Sequence, residues 1–333
     1  MPIQYESILA EVRAVRHNHG MFDVSHMARF FIDGSDARSL LDWVHSADIG
    51  ESMPVGQARY GLICNREGGI IDDGIVYRLS ADGFLLIANA SNGNAVYDWL
   101  KEWSKICFGD LVLRNETPNV AMIAVQGPFA RSLVDQMCEE ETASMRPFRV
   151  MKATIEGLPV LLARTGYTGE DGFELMPSSD GAEAIWSMLL ERGVTPCGLG
   201  ARDILRLEAG LLLHGSDMDQ SVTPLDAGLK RFVKTNRDFC GSSSIHLIES
   251  NKAIVGLKCS GRGSIPRSHT RILDRGLEIG AVTSGAYSPT LDTNIALGYV
   301  PKEYAEVGNT LEMDVRGKKL EASIVRLPFY SRR

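Results

Sequence analysis

The run "NREGGIIDDGIVYR" (Asn65–Arg78) sets two adjacent aspartates, Asp72 and Asp73, inside a stretch that otherwise reads as a buried strand. Glycine pairs end turns, and Ile-Ile and Ile-Val-Tyr are strand-forming runs. Successive side chains of a strand point to opposite faces. Asp73 is therefore expected to share a face with Ile71 and Ile75, and Asp72 with Ile70 and Val76. Whichever face is covered, one carboxylate meets it. A buried ionised carboxylate is costly unless something pairs with it. The fold must supply these acids with a structural partner or leave room for a ligand.

The 333-residue chain has room for two or three domains. Its balance of 44% hydrophobic and 23% charged residues is that of a soluble globular protein. A net charge of −7 argues against nucleic acid as a partner, since phosphate backbones reward clustered Lys and Arg. The basic patch of note is the tail "YSRR", ending in Arg332 and Arg333. No apolar run approaches the ~20 residues of a membrane helix, so no membrane association is expected. The start, "MPIQYESILAEV", lacks the basic opening and greasy centre of a signal peptide. Six scattered cysteines without a CxxC pair fit reduced thiols better than a disulfide framework or a zinc site. A cytoplasmic or organelle-matrix location follows as the expectation, with no metal.

Along the chain, Ile8, Val12 and Val15 recur at helical spacing, predicting a helix over Ile8–His17. "ARFFIDG" reads as a strand and turn, and "SDARSLLDWVHS" as a helix capped by Ser35. Tyr60–Ala90 reads as a meander of strands, and Asn92–Ile106 as a helix. "VAMIAVQG" begins a strand–turn–helix unit whose helix Pro128 opens. "AEAIWSMLLERG" is an amphipathic helix ended by Gly193, and "GARDILRLEAGLLLHG" a second one with Ile204, Leu207 and Leu211 on one side. From about Ile254 the texture changes to short strands separated by glycines, which suggests a separate all-β domain beginning near Lys252. The remainder mixes helices with antiparallel sheet, so the class is α+β.

Four constellations can carry chemistry. Of the aspartate pair, one member is explicable as a turn cap through backbone N–H groups. "RTGYTGEDGFE" (Arg164–Glu174) is a glycine-rich loop that either lets backbone approach a ligand or turns with solvated acids. Without the Lys, and with three carboxylates, it is no phosphate loop, and its acidity suits an amine or amide donor such as a pterin or purine edge. In "CGLGARDILRLEAG", Arg202 and Arg206 lie four apart on one face; Asp203 and Glu208 are the nearest structural partners. In "FDVSHM", Ser25 and His26 are adjacent, lack an acid partner, and do not make a nucleophile–base pair.

These segments, in this order, resemble the aminomethyltransferase family, the T protein of the glycine cleavage system. The likeness rests on "GMFDVSHM", "GGIIDDGIVYR", "AVQGP", "RTGYTGEDGFE", "PCGLGARDILRLEAG", "TPLDAGL", "VTSGAYSPTL", "ALGYV" and "LPFYSRR", and covers nearly the whole chain. It implies a three-lobed folate-binding fold around a central channel. Residues 1–252 would form the folate-binding region, as two interleaved α+β lobes (roughly 1–31 with 118–220, and 32–117 with 221–252). Residues 253–333 would form an antiparallel β-barrel-like domain.

The resemblance also implies the reaction. The one-carbon unit of an aminomethylated lipoyl group, carried by the H protein, passes to tetrahydrofolate as cosubstrate, with release of ammonia. Asp73 matches the family's essential aspartate. Tyr60, Asn89, Tyr167, Glu174 and Arg202 match folate-contacting positions, and Tyr330 and Arg332 lie where the family's tail approaches the channel. Three departures stand out. Family members carry a further helix-and-strand segment before "MPIQY". "GLKRFVK" (Gly228–Lys234) has Lys230-Arg231 where an aromatic is common, and "FCGSSS" replaces a more charged stretch; neither is expected to touch the folate residues. Relatives with this fold include folate-dependent demethylases, which keep tetrahydrofolate and take a small methylated donor; that is the alternative reading.

Overall fold

The computed structural model describes residues 1–234, 236–261 and 263–332. The chain opens with helix α1 (Ile8–His17) and strand β1 (Gly20–Asp23). A long excursion follows: β2 (Ala28–Asp33), α2 (Ala37–Val44), β3 (Ala58–Cys64), β4 (Ile70–Arg78), β5 (Gly83–Ala88), α3 (Gly93–Ile106) and β6 (Val112–Asn115). Next come β7 (Ile123–Gln126), α4 (Ala130–Met137), β8 (Val150–Ile155), β9 (Leu158–Ala163), β10 (Gly172–Pro177), α5 (Ala182–Glu191), β11 (Thr195–Pro196) and α6 (Leu199–Glu208). After the short α7 (Ser242–Leu247) come six strands, with one 3-10 turn (Lys302–Tyr304) among the described residues: β12 (Lys252–Cys259), β13 (Arg271–Asp274), β14 (Leu277–Ser288), β15 (Thr293–Pro301), β16 (Thr310–Val315) and β17 (Lys318–Val325).

Three sheets result. One has the order β11-β1-β7-β10-β9-β8, a second β3-β4-β5-β2-β6, and the last six strands close into a barrel, β12-β15-β14-β13-β16-β17. Closure removes the unpaired edges that short strands would otherwise expose. The excursion from β2 to β6 is an insertion: the chain leaves the first sheet after β1 and re-enters it at β7. Mixed helices with antiparallel sheets make the class α+β, as the residue pattern predicts.

Alternation along the strands explains the layering. Phe22, Ala124, Ala163 and Met176 of the first sheet pack on Tyr77, Leu85 and Ile87 of the second, so the two sheets face each other. The outer faces are covered by amphipathic helices: α2 and α3 on the second sheet, α4 and α5 on the first. A junction cluster joins Leu62, Cys64 and Ile70 of the second sheet to Leu207 after α6's midpoint and to Ile295 and Leu297 of the barrel.

Several local expectations need correction. Helix α2 has Asp36 at its N-cap with no side-chain cap; the Ser35 hydroxyl is drawn instead to the Asp110 carboxylate. Helix α4 starts at Ala130 behind Phe129, so Pro128 lies one residue before the cap. Helix α6 stops at Glu208, because Gly210 adopts φ +64°, and Leu211 to Gly215 form a turn rather than further helix.

Candidate active site

A β-bulge sets the aspartates. Cys64 pairs with Ile70 and Ile63 with Asp72, leaving Ile71 as the extra residue of β4. The expected alternation therefore breaks. Ile70 joins the cluster of Leu62 and Cys64 on the Asp73 face, while Ile71 packs with Ile63 and Val76 on the Asp72 face. Asp72 is fully buried and Asp73 partly so.

Among the described residues neither carboxylate has an ion-pair partner. Asp72 Oδ2 accepts the Asn89 backbone N–H (2.9 Å), and its Oδ1 accepts the side-chain amides of Asn89 and Asn92 (2.8 Å each). Asp73 Oδ1 accepts the Asn89 amide (2.7 Å) and Oδ2 the Tyr60 hydroxyl (2.9 Å). One amide thus bridges both acids. Burial, then the charge of Asp72, pushes Asp73 up to about 6, against the pull of Tyr60 and Asn89. Burial also raises Asp72, and the two asparagines oppose it.

Beside this pair lies a cavity of about 270 Å³, with Asn89, His26, Tyr167, Arg202, Arg206 and His214 in its wall. Asp73 does not line it directly but is one hydrogen bond away through Asn89. The Arg202 guanidinium sits 4.7 Å from the centre of the Tyr167 ring, and the Tyr167 hydroxyl donates to the Leu212 carbonyl. Among the described residues Arg202 has no ion-pair partner. Burial lowers its pKa, opposed by Tyr167 and Glu174. Glu174 is buried on β10, and its Oε2 accepts the hydroxyls of Thr165 and Tyr77. Its Oε1 has no protein donor among the described residues. Burial raises its pKa.

Of the expected site residues, Asn89, Tyr167 and Arg202 line the hollow; Asp73 is joined to it through Asn89 and Tyr60 through Asp73, while Glu174 is not in its wall and acts on Arg202 through its charge. The tail sits apart from the cavity wall. The Tyr330 ring lies 4.1 Å under the Arg16 guanidinium and its N–H donates to the Glu208 carbonyl. Arg332 reaches Asp171 at 3.5 Å, and Arg333 lies outside the described residues.

Other elements have protein explanations. The loop "RTGYTGEDGFE" is glycine-rich because the protein itself comes close: a Cβ at Gly166 would lie 2.0 Å from Gln126 Oε1, and one at Gly172 2.2 Å from the Val125 carbonyl. Two of its acids are neutralised, Glu170 by Arg16 (2.8 Å) and Asp171 by Arg164. Arg206 is likewise architectural, pairing with Asp203 (2.7 Å) and Asp217 (2.6 Å) and donating to Ser284 of the barrel. Glu208 pairs with Arg16 rather than with either helix arginine.

Residue pattern alone misses His214, Asn92 and the true part of His26. His214 Nδ1 accepts the Asn92 amide (2.8 Å), which also holds Asp72, while its Nε2–H donates to the Ile70 carbonyl (3.0 Å). The glycines at 210 and 215 that flank "LLLH" were the signal for a turn carrying it. His26 lines the cavity mouth; burial, then Arg202, lowers its pKa. Ser25 is engaged with the Met122 backbone, which leaves no nucleophile–base pair. The loop is held from behind by Arg29, wholly buried, which donates to the carbonyls of Met27 (2.6 Å), Ser25 (2.7 Å) and Thr117 (2.6 Å).

Comparison with known proteins follows the same division of the chain. The family described as "GCVT N-terminal domain" matches residues 1–237, and "Glycine cleavage T-protein C-terminal barrel domain" matches residues 252–331. The chain is 39% identical to an aminomethyltransferase of Herpetosiphon aurantiacus, with 100% of this chain and 92% of that protein covered. It is 42% identical to one of Thermotoga petrophila, covering 99% and 91%. The crystal structure of glycine cleavage system aminomethyltransferase T from Bartonella henselae superposes with a TM-score of 0.92 at 33% identity, covering 100% of this chain and 92% of that one.

Proposed function

The chain belongs to the aminomethyltransferase family of glycine cleavage T proteins and is a transferase; from that premise we propose that it passes the one-carbon unit of aminomethyl-lipoyl H protein to tetrahydrofolate and releases ammonia. The observation that carries this reading is Asp73, a carboxylate held by a hydroxyl and an amide, with no ion-pair partner among the described residues, one hydrogen bond from a cavity.

The residues fit a reduced pterin. Glu174 Oε1 lacks a protein donor, so the N–H groups of an amino-pyrimidine edge would satisfy it. Tyr60, Asn89, Tyr167 and Arg202 would line the rest of the binding surface. Tetrahydrofolate, when bound, supplies the nucleophilic nitrogen that takes up the carbon. Asp73 is ionised above pH about 6. It orients that nitrogen, stabilises the positive charge that develops as ammonia leaves, and relays a proton. Tyr60 and Asn89 hold both its oxygens in place, and Asp72 keeps its basicity high. The buried setting excludes water that would otherwise hydrolyse the activated carbon.

The lipoylated H protein is the partner in this reading, residues 1–252 the folate-binding region in two interleaved lobes, and 253–333 the barrel. A cytoplasmic location belongs to the same proposal, supported by six unpaired cysteines. No helix among the described residues is long and apolar enough to cross a membrane.

The test is purified protein with tetrahydrofolate and aminomethylated H protein, scoring 5,10-methylenetetrahydrofolate and ammonia in equal amounts. A parallel arm offers small methylated amines. Turnover there, with none from the H protein, replaces this reading with the demethylase one.

A further inference from the structure

The segment "GLKRFVK" is closer to the site than its sequence suggests. Phe232 packs edge-on against the Tyr60 ring at 4.6 Å, and the Arg231 guanidinium lies 4.6 Å over Phe232. A contiguous path of three contacts therefore leads from solvent at Arg231 through Phe232 and Tyr60 to Asp73. The expectation that this segment leaves the folate residues untouched is overturned, because Tyr60 is one of them.

The segment is also built to hold its shape. The buried Ser46 donates its hydroxyl to the Phe232 carbonyl (2.9 Å), and the Ser46 carbonyl accepts the Lys234 N–H (3.1 Å). Around these anchors Lys230, Arg231 and Lys234 are exposed, and none has an ion-pair partner among the described residues. Arg237 differs: it pairs with Asp42 and donates to the carbonyls of His45 and Ala47. On a chain of net charge −7, three free cations on one pinned segment are a local reversal of sign.

Resting on the reading above, we propose that Lys230, Arg231 and Lys234 form the rim onto which an acidic face of the one-carbon carrier protein docks. On a chain whose net charge is −7, a basic segment of this kind favours one place and orientation for an acidic face. A carbon tethered to a carrier must be delivered within an arm's reach of Asp73, and Arg231 stands three contacts from it, with Lys230 and Lys234 on the same segment. None of the three cations lines the cavity, so a small anion held there is not what they meet.

The experiment measures binding of lipoylated H protein to the full chain by calorimetry, across a salt series, for wild type and Lys230→Glu/Lys234→Glu. Expected is a loss of about tenfold or more in affinity at low salt, closing as salt screens the rim, with folate affinity unchanged. Arg231→Gln, which keeps its stem over Phe232, gives a smaller loss in the same direction. Equal affinity and equal salt slope in variant and wild type overturn the proposal. So does a loss confined to folate affinity, which assigns the cations to the anionic tail of the cosubstrate. Because binding is read without turnover, salt-sensitive docking in a protein that shows no transfer keeps the rim and removes the proposed reaction.

Discussion

Around Asp217, where the turn after α6 meets the barrel, a buried carboxylate faces a guanidinium; around Asp73, within the five-stranded sheet, a carboxylate faces a hydroxyl and an amide. Asp217 Oδ2 accepts Arg206 (2.6 Å) and the Leu213 N–H (2.9 Å), and its Oδ1 accepts Ser284 (2.7 Å) and Thr283. Glu208 is treated the same way by Arg16 at 2.9 Å, with Ser288 and Thr290 completing its shell. Charge there is spent on joining helix to barrel. Asp73 has no ion-pair partner among the described residues, and Asp72 alongside raises its pKa. The contrast separates acids that hold the molecule together from the one to which the proposed reaction is assigned.

The sharpest break of that contrast is Asp73→Asn. Its expected cost is about 10³-fold in turnover, or ~4 kcal/mol of transition-state stabilisation, with folate affinity within a few-fold by calorimetry. Full turnover in the folded variant ends the assignment. Asp217→Asn should act on stability instead: about 3 kcal/mol lost, from leaving the buried Arg206 with the half-exposed Asp203 as its remaining ion-pair partner, read from the denaturation midpoint. An unchanged midpoint would show that the junction is not held by this pair.

The two variants should also move stability in opposite directions. Asp73 titrates near 6 in the fold, above the ordinary 3.8 of an aspartate. The native state therefore binds more protons between these values, and the contribution of Asp73 to stability falls as pH rises through that window. Asn at 73 removes the penalty, so at pH 7 a gain of about 1–2 kcal/mol is expected. A lower melting temperature contradicts it. On the rate side, turnover should decline as pH falls below about 6, where Asp73 takes up its proton. The smallest effect is that of Glu174→Gln, which should weaken folate binding about tenfold through one hydrogen-bond mismatch and hardly alter the melting temperature.

Much of this architecture is legible in the residues. Helix α1 matches its apolar spacing residue for residue, and the change of texture near Lys252 coincides with the first barrel strand. Local periodicity suffices there, because each element's buried face is written in its own sequence. The aspartate pair is legible as an anomaly for the same reason. The bulge at Ile71 is not, since an unpaired residue exists only relative to a partner strand. Nor is the difference between Arg202 and Arg206, four apart on one helix: what distinguishes them is Asp217, Ser284 and Glu174, which come from other elements.

Composition and pattern by themselves decided the α+β class, the all-β C-terminal domain, the run of strands carrying Asp72 and Asp73, and the order of motifs along the chain. Tertiary structure alone decided which charges are free. An ion pair across 192 positions, such as Arg16 with Glu208, or an amide of Asn89 shared by two acids, depends on distances between segments that a linear order does not contain. Because electrostatic energy falls with separation and rises with burial, only the folded chain settles which carboxylate meets a cation and which meets a hydroxyl and an amide.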